Sequence, residues 1–147
     1  MIAAKAFVDS NIVLYLLSAD TEKADRAEAI IEAGGTISVQ VLNEVTNVAR
    51  RKLGLSWAET NDIVMQIKAL CEVETLSVET HDKGRNVAER YGLSVYDAMI
   101  VASALLAGCN TLYSEDMQDG MLIDNQLRIC NPFVIAPRPV RKSRRAT

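Results

Sequence analysis

Four carboxylates in this 147-residue chain lie where a solvated surface would not need them. Asp9 directly follows the apolar run Ala4–Val8, in the text Val8-Asp9-Ser10-Asn11. Glu44 lies early in a helical stretch, between Asn43 and Val45. Asp97 is the third residue after Ser94 and has apolar neighbours in Tyr96, Ala98, Met99 and Ile100. Asp116 closely follows a further strand-like stretch, Asn110–Tyr113. Each position also has a plain explanation, because Asp is a common turn residue after a strand and an acid in a first helical turn complements the helix dipole. Brought together, however, carboxylates repel, and one must hold a proton unless a cation neutralises the group. No Lys or Arg adjoins any of the four. A divalent ion is the natural source of the missing charge. An all-oxygen site without His or Cys suits Mg²⁺ or Mn²⁺ rather than zinc. Such ions, sharing phosphate oxygens with a few carboxylates, promote attack of water on a phosphodiester.

The elements that would position these acids alternate between strand and helix. Short apolar or β-branched runs at Ala4–Val8, Thr36–Val39, Val73–Leu76, Asn110–Tyr113 and Leu127–Cys130 read as strands. Asn11–Leu17 reads as a helix, and so does Thr21–Ala33, with Thr21 as its N-cap and Gly34-Gly35 as its stop. Val41–Leu53 carries an apolar stripe. Ser56 opens the next helix, with Glu59 completing a capping box. Glu79–Tyr91 ends at Gly92, and Val95–Ala107 is capped by Ser94 and closed by Gly108. This alternation predicts an α/β fold, a parallel sheet with helices on both faces. With strand order 3-2-1-4-5, Asp9 and Asp116 flank the switch point, where ligands bind outside the carboxyl ends of strands. Whether the helix bearing Asp97 starts at that same edge is open at this stage, since a helix can begin at either end of a sheet.

Composition narrows the setting. Residues 1–136 hold all 19 acids but 11 of the 16 Lys and Arg, a net charge of −8. Residues 137–147 hold the other five basic residues, Arg138, Arg141, Lys142, Arg144 and Arg145, and no acid. The expected organisation is one globular domain over 1–136 and a basic, disordered tail over 137–147, separable from the chemistry. Cys71, Cys109 and Cys130 lack any paired spacing, so they read as buried thiols rather than a disulfide framework or a zinc site. The N-terminus lacks the apolar region of a signal peptide, and the longest apolar run, Ala98–Cys109, is too short to cross a membrane. Cytoplasmic location is the expectation.

With these residues in place the chain resembles the PIN domain family, most of all the VapC-type toxin ribonucleases of toxin–antitoxin pairs. Four motifs carry the resemblance over about residues 4–133. They are Phe7-Val8-Asp9-Ser10-Asn11, Glu44 in the third helix, the helix start Asp97-Ala98-Met99-Ile100-Val101-Ala102, and Ser114-Glu115-Asp116-Met117-Gln118-Asp119. Gly120 departs from the pattern, since many members carry Phe there. The resemblance implies a three-layer α/β/α sandwich around a central parallel sheet of four or five strands. It implies Mg²⁺- or Mn²⁺-dependent cleavage of single-stranded RNA, with Asp9, Glu44, Asp97 and Asp116 holding the metal directly or through water. Asn11 and Ser114 would then position the carboxylates, and Asp119 would be an outer or second-metal ligand. A homodimer and a silencing antitoxin partner are implied as well. Arg50, Arg51 and Lys52 either contact backbone phosphate or complement the C-terminal dipole of their helix.

Competing functions fit less well. A haloacid-dehalogenase-like phosphatase wants Asp-x-Asp after the first strand, where this chain has Asp9-Ser10-Asn11, and a Lys after a later strand, which Ser114-Glu115-Asp116 does not supply. A stand-alone RNA-processing nuclease would use the same acids. A non-catalytic RNA-binding module would not need them, yet all four are intact. His81, the only histidine, reads as exposed and polar, Trp57 as a packing or interface residue, and Tyr96 as core.

Overall fold

In the computed structural model, which describes residues 5–134, six strands form one sheet in the order β3-β2-β1-β4-β6-β5. They are β1 (Ala6–Val8), β2 (Gly35–Ser38), β3 (Cys71–Glu74), β4 (Thr111–Tyr113), β5 (Leu122–Ile123) and β6 (Leu127–Cys130). All neighbours are parallel except β5 and β6. Six helices cover both faces: α1 (Ser10–Leu14), α2 (Thr21–Glu32), α3 (Val39–Arg51), α4 (Trp57–Leu70), α5 (Val78–Tyr91) and α6 (Val95–Leu106). The expected order holds with Leu127–Cys130 as the fifth parallel strand. The sequence does not signal β5, a two-residue antiparallel edge strand. It folds back on β6 through Asp124 and Asn125, both at positive φ. Lys83 and Arg90 of α5 clamp that turn by ion pairs to Asp124 at 2.8 and 2.9 Å.

Strands and helices meet over Phe7, Val8, Ile37, Leu112 and Ile129 from the sheet and Ile12, Val13, Val41, Val45 and Val101 from the helices, all fully buried. On α3 the buried residues Val41, Val45 and Ala49 recur every four positions. Glu44 lies at the border of that stripe, where a side chain can reach the sheet edge without entering the core. On α6 nearly every residue from Ala98 to Leu105 is buried, so it is a core helix whose first turn is open.

Three local expectations change. Asp20, not Thr21, caps α2, its carboxylate accepting the Lys23 N–H at 3.2 Å. The stretch after Asp9 divides into α1 and a 3-10 turn at Tyr15–Leu17. Tyr96 is 73% exposed rather than core. The Ser56–Glu59 capping box is present as expected. Gly92 ends α5 at φ +70, a left-handed conformation that costs a side-chain-bearing residue about 1 kcal/mol. Gly92→Ala is expected to lower Tm by about 3 °C in a thermal melt. No helix among the described residues is long and apolar enough to cross a membrane. The basic tail expected at 137–147 lies outside the described residues.

Candidate active site

The β1–β4 register pairs Val8 with Tyr113, so the next residues, Asp9 and Ser114, leave the sheet side by side. The Asp9 N–H continues the ladder to the Tyr113 carbonyl at 3.0 Å, and Ser114 N–H reaches the Cys130 carbonyl at 3.0 Å. Asp9 is 5% exposed and Ser114 fully buried. The Ser114 hydroxyl donates to Asp9 Oδ2 at 2.8 Å, and the Ser10 N–H donates to Oδ1 at 2.7 Å as Asp9 caps α1. Asp9 is thus fixed at both oxygens.

A second acid is joined through Ser10. Its hydroxyl donates to Glu44 Oε1 at 2.6 Å, bringing the border of α3 against the end of β1. Asp97 comes from the third side. Ser94 Oγ caps α6 by accepting the Asp97 N–H at 3.2 Å, and Gln40, one turn before Glu44 on α3, donates to the Tyr96 carbonyl at 3.3 Å. The α6 start therefore sits at the same sheet edge as Asp9, which resolves the orientation that the sequence leaves open. Asp116 follows β4 and is exposed, its N–H donating to Ser114 Oγ at 3.3 Å.

The electrostatics follow from this placement. Burial pushes the Asp9 carboxyl up to about 6, and the charges of Glu44 and Asp97 push in the same direction; the bonds from Ser114 and the Ser10 N–H oppose the rise. Among the described residues no ion pair involves Asp9, Glu44, Asp97 or Asp116. A buried carboxylate that feels two like charges and no cation suits a divalent ion in its donor chemistry. Among the described residues no three acidic, His or Cys side chains converge closely enough to enclose a single ion. The fit is therefore to an ion held by one or two carboxylates with water completing its shell, the habit of Mg²⁺. The thiols offer nothing here: burial pushes Cys109 up to about 11 and also raises Cys71 and Cys130.

The remaining candidates have other contacts. Asn11 Oδ1 accepts the Glu115 N–H at 3.3 Å, so it holds the loop that carries Asp116. Asp119 Oδ1 accepts the Asn131 N–H at 2.8 Å and ties that loop to the end of β6. Arg50 donates to the Leu55 carbonyl at 2.6 Å, whereas Arg51 and Lys52 are exposed. Ser10, which bonds both Asp9 and Glu44, is the residue of this cluster that sequence reasoning misses, although it is the middle residue of the Asp9-Ser10-Asn11 motif. The available signal is a hydroxyl next to a strand-end carboxylate.

Known proteins agree with this architecture. The PIN domain family matches residues 6–118. A toxin–antitoxin complex from Klebsiella pneumoniae is similar in structure with a TM-score of 0.69 at 22% identity, covering 89% of this chain and 100% of that one. VapC20 of Mycobacterium tuberculosis, described as a sarcin–ricin loop cleaving toxin, is similar with a TM-score of 0.59 at 19% identity over 76% of this chain and 90% of its own. VapBC2 from Rickettsia felis, solved with a DNA fragment from its promoter, has a TM-score of 0.61 at 18% identity, covering 84% of this chain and 96% of that one. No curated protein matches. At these identities the neighbours speak for the fold, while the family match spans most of the sequence that builds the sheet and all four acids. The chain belongs to the PIN domain family.

Proposed function

We propose that this protein is a metal-dependent endoribonuclease that hydrolyses single-stranded RNA, acting as the toxin of a toxin–antitoxin pair. The observation that carries the reading is Asp9, buried at the carboxyl edge of the sheet, unpaired with any cation among the described residues and pushed upward in pKa beside Glu44 and Asp97. Membership in a family that includes nucleases supports it. Asp9 and Asp97 would hold Mg²⁺ or Mn²⁺ with Glu44 and Asp116 close by, directly or through water. The bound ion would supply charge neutralisation at the phosphate and a water acidic enough to attack it. Ser114 and Ser10 keep Asp9 oriented and favour its ionised form, and Ser10 holds Glu44 in the same cluster. Asn11 steadies the Asp116 loop, and Asp119 acts from the periphery. A homodimer, a cognate antitoxin and a cytoplasmic setting belong to the same reading. Val95 and Tyr96, exposed beside Asp97, give a covering protein segment an apolar foothold.

Water as the nucleophile has a signature in the products. Cleavage of a single-stranded RNA in Mn²⁺ is expected to leave a phosphomonoester end and a free hydroxyl, and to proceed when the 2′-hydroxyl at the cleaved position is methylated. A 2′,3′-cyclic phosphate product would contradict the reading. Ser114→Ala removes a donor that lowers the Asp9 pKa. The acidic limb of the pH–rate profile should therefore move toward higher pH, with rates near pH 6 falling about tenfold or more. An unmoved limb would show that Asp9 does not govern the rate.

A further inference from the structure

A cavity of about 360 Å³ opens between α3 and the start of α4 and is lined by Asn43, Thr46, Asn47, Arg50, Arg51 and Trp57. Among the described residues no acid lines it, although residues 1–136 carry a net charge of −8. Trp57 is 57% exposed, and the Arg50 guanidinium lies 4.5 Å from its ring centroid. Arg50 is itself pinned to the Leu55 carbonyl, so it serves as a backing for the indole. The hydroxyl of Thr46 is already committed to the Leu42 carbonyl at 2.7 Å. That leaves an open aromatic face, the exposed amides of Asn43 and Asn47, and the exposed guanidinium of Arg51. Glu44, Asn47 and Arg51 stand at i, i+3 and i+7, on one face of α3. Arg51 lies about 10 Å along the helix from Glu44.

We propose that this cavity is a nucleotide subsite for an unpaired RNA strand leaving the carboxylate edge along α3. One base stacks on Trp57, the adjoining phosphate meets Arg51, and the amides of Asn43 and Asn47 hydrogen-bond the base edge. The proposal rests on the ribonuclease reading above and names how that substrate is held. The charge argues for this occupant: the lining offers two guanidiniums and two amides to a polyanion, with no carboxylate among the described lining residues to oppose it. A base stacked on an arginine-backed aromatic is the usual way an unpaired strand is gripped without regard to pairing.

Trp57 is the only tryptophan, so its emission reports on the subsite directly. The full-length Asp97→Asn variant would be titrated with a ten-nucleotide single-stranded RNA, and saturable quenching is expected, with little from the same sequence as a duplex. Arg51→Gln should weaken binding and reduce the salt slope by about one. In the otherwise wild-type protein, Trp57→Ala should raise KM about tenfold with kcat kept, and Trp57→Phe should restore most of it. Emission that RNA leaves unmoved, in a protein whose wild type cleaves that RNA, would overturn the subsite and leave the nuclease reading standing. Emission that changes with protein concentration alone would assign the face to a second copy and also overturn it. Quenching by RNA together with an inert wild type would keep the subsite and remove the nuclease reading.

Discussion

Asp9→Asn is expected to abolish RNA cleavage, by at least about a hundredfold, and to make the metal-free protein more stable. The two effects share one cause. Asp9 is a buried carboxylate with no cationic partner among the described residues, and the fold bears the cost of keeping it charged. The unfolded carboxyl titrates near its ordinary value of 3.8 and the folded one near 6. Between those limits the folded state binds more protons than the unfolded state, so stability falls as pH rises and then levels off above about 6. A shift of this size corresponds to about 2–3 kcal/mol. Asn is neutral and nearly isosteric. Its oxygen can still accept the Ser10 N–H and its amide can donate to Ser114 Oγ, which turns from donor to acceptor. At pH 8 the variant should melt about 5 °C above the wild type in chelator, and the decline of Tm from pH 4 to 6 should flatten. Thermal melts across pH check this. A variant less stable than the wild type at pH 8 would mean that Asp9 is compensated in some other way.

Adding Mn²⁺ or Mg²⁺ is expected to reverse that ranking. An ion at Asp9 binds only the ionised carboxyl and only the folded state, so it stabilises in proportion to the logarithm of its concentration over Kd. At a concentration of about a thousand times Kd the gain is about 4 kcal/mol, which exceeds the cost of the charge. Wild-type Tm should therefore rise by about 10 °C at pH 8. The rise should be much smaller at pH 5, where Asp9 holds its proton, and absent in Asp9→Asn. Equal shifts in both proteins would place the ion elsewhere.

Much of this arrangement is legible in residue order. The strand-end position of Asp9 and the cap at Ser94 fix two acids relative to backbone elements, and the alternation of elements predicts the parallel sheet that joins them. What escapes is decided by contacts distant in sequence. The Ser10–Glu44 bond spans 34 residues and depends on how α3 crosses the end of β1. No local pattern encodes that crossing. The hairpin of β5 escapes because two residues are too few to show a period, and its turn uses Asp124-Asn125 rather than a glycine pair. Tyr96 reads as core because its neighbours along α6 are buried, yet it lies with Val95 in the exposed first turn of that helix. The bond from the Asn131 N–H to Asp119, which ties the loop after β4 to the end of β6, likewise joins residues that no local pattern relates.

If the carboxylates at the ends of β1 and β4 and the start of α6 form a metal-dependent hydrolytic site, RNA cleavage must depend on both the acids and the ion. The direct measurement is cleavage of a defined single-stranded RNA by wild type, Asp9→Asn and Asp97→Asn, purified identically, with Mn²⁺ and with chelator. Cleavage is expected from the wild type in Mn²⁺ alone, and from neither variant in either condition. Cleavage that survives both substitutions, or that persists in chelator, would contradict that dependence.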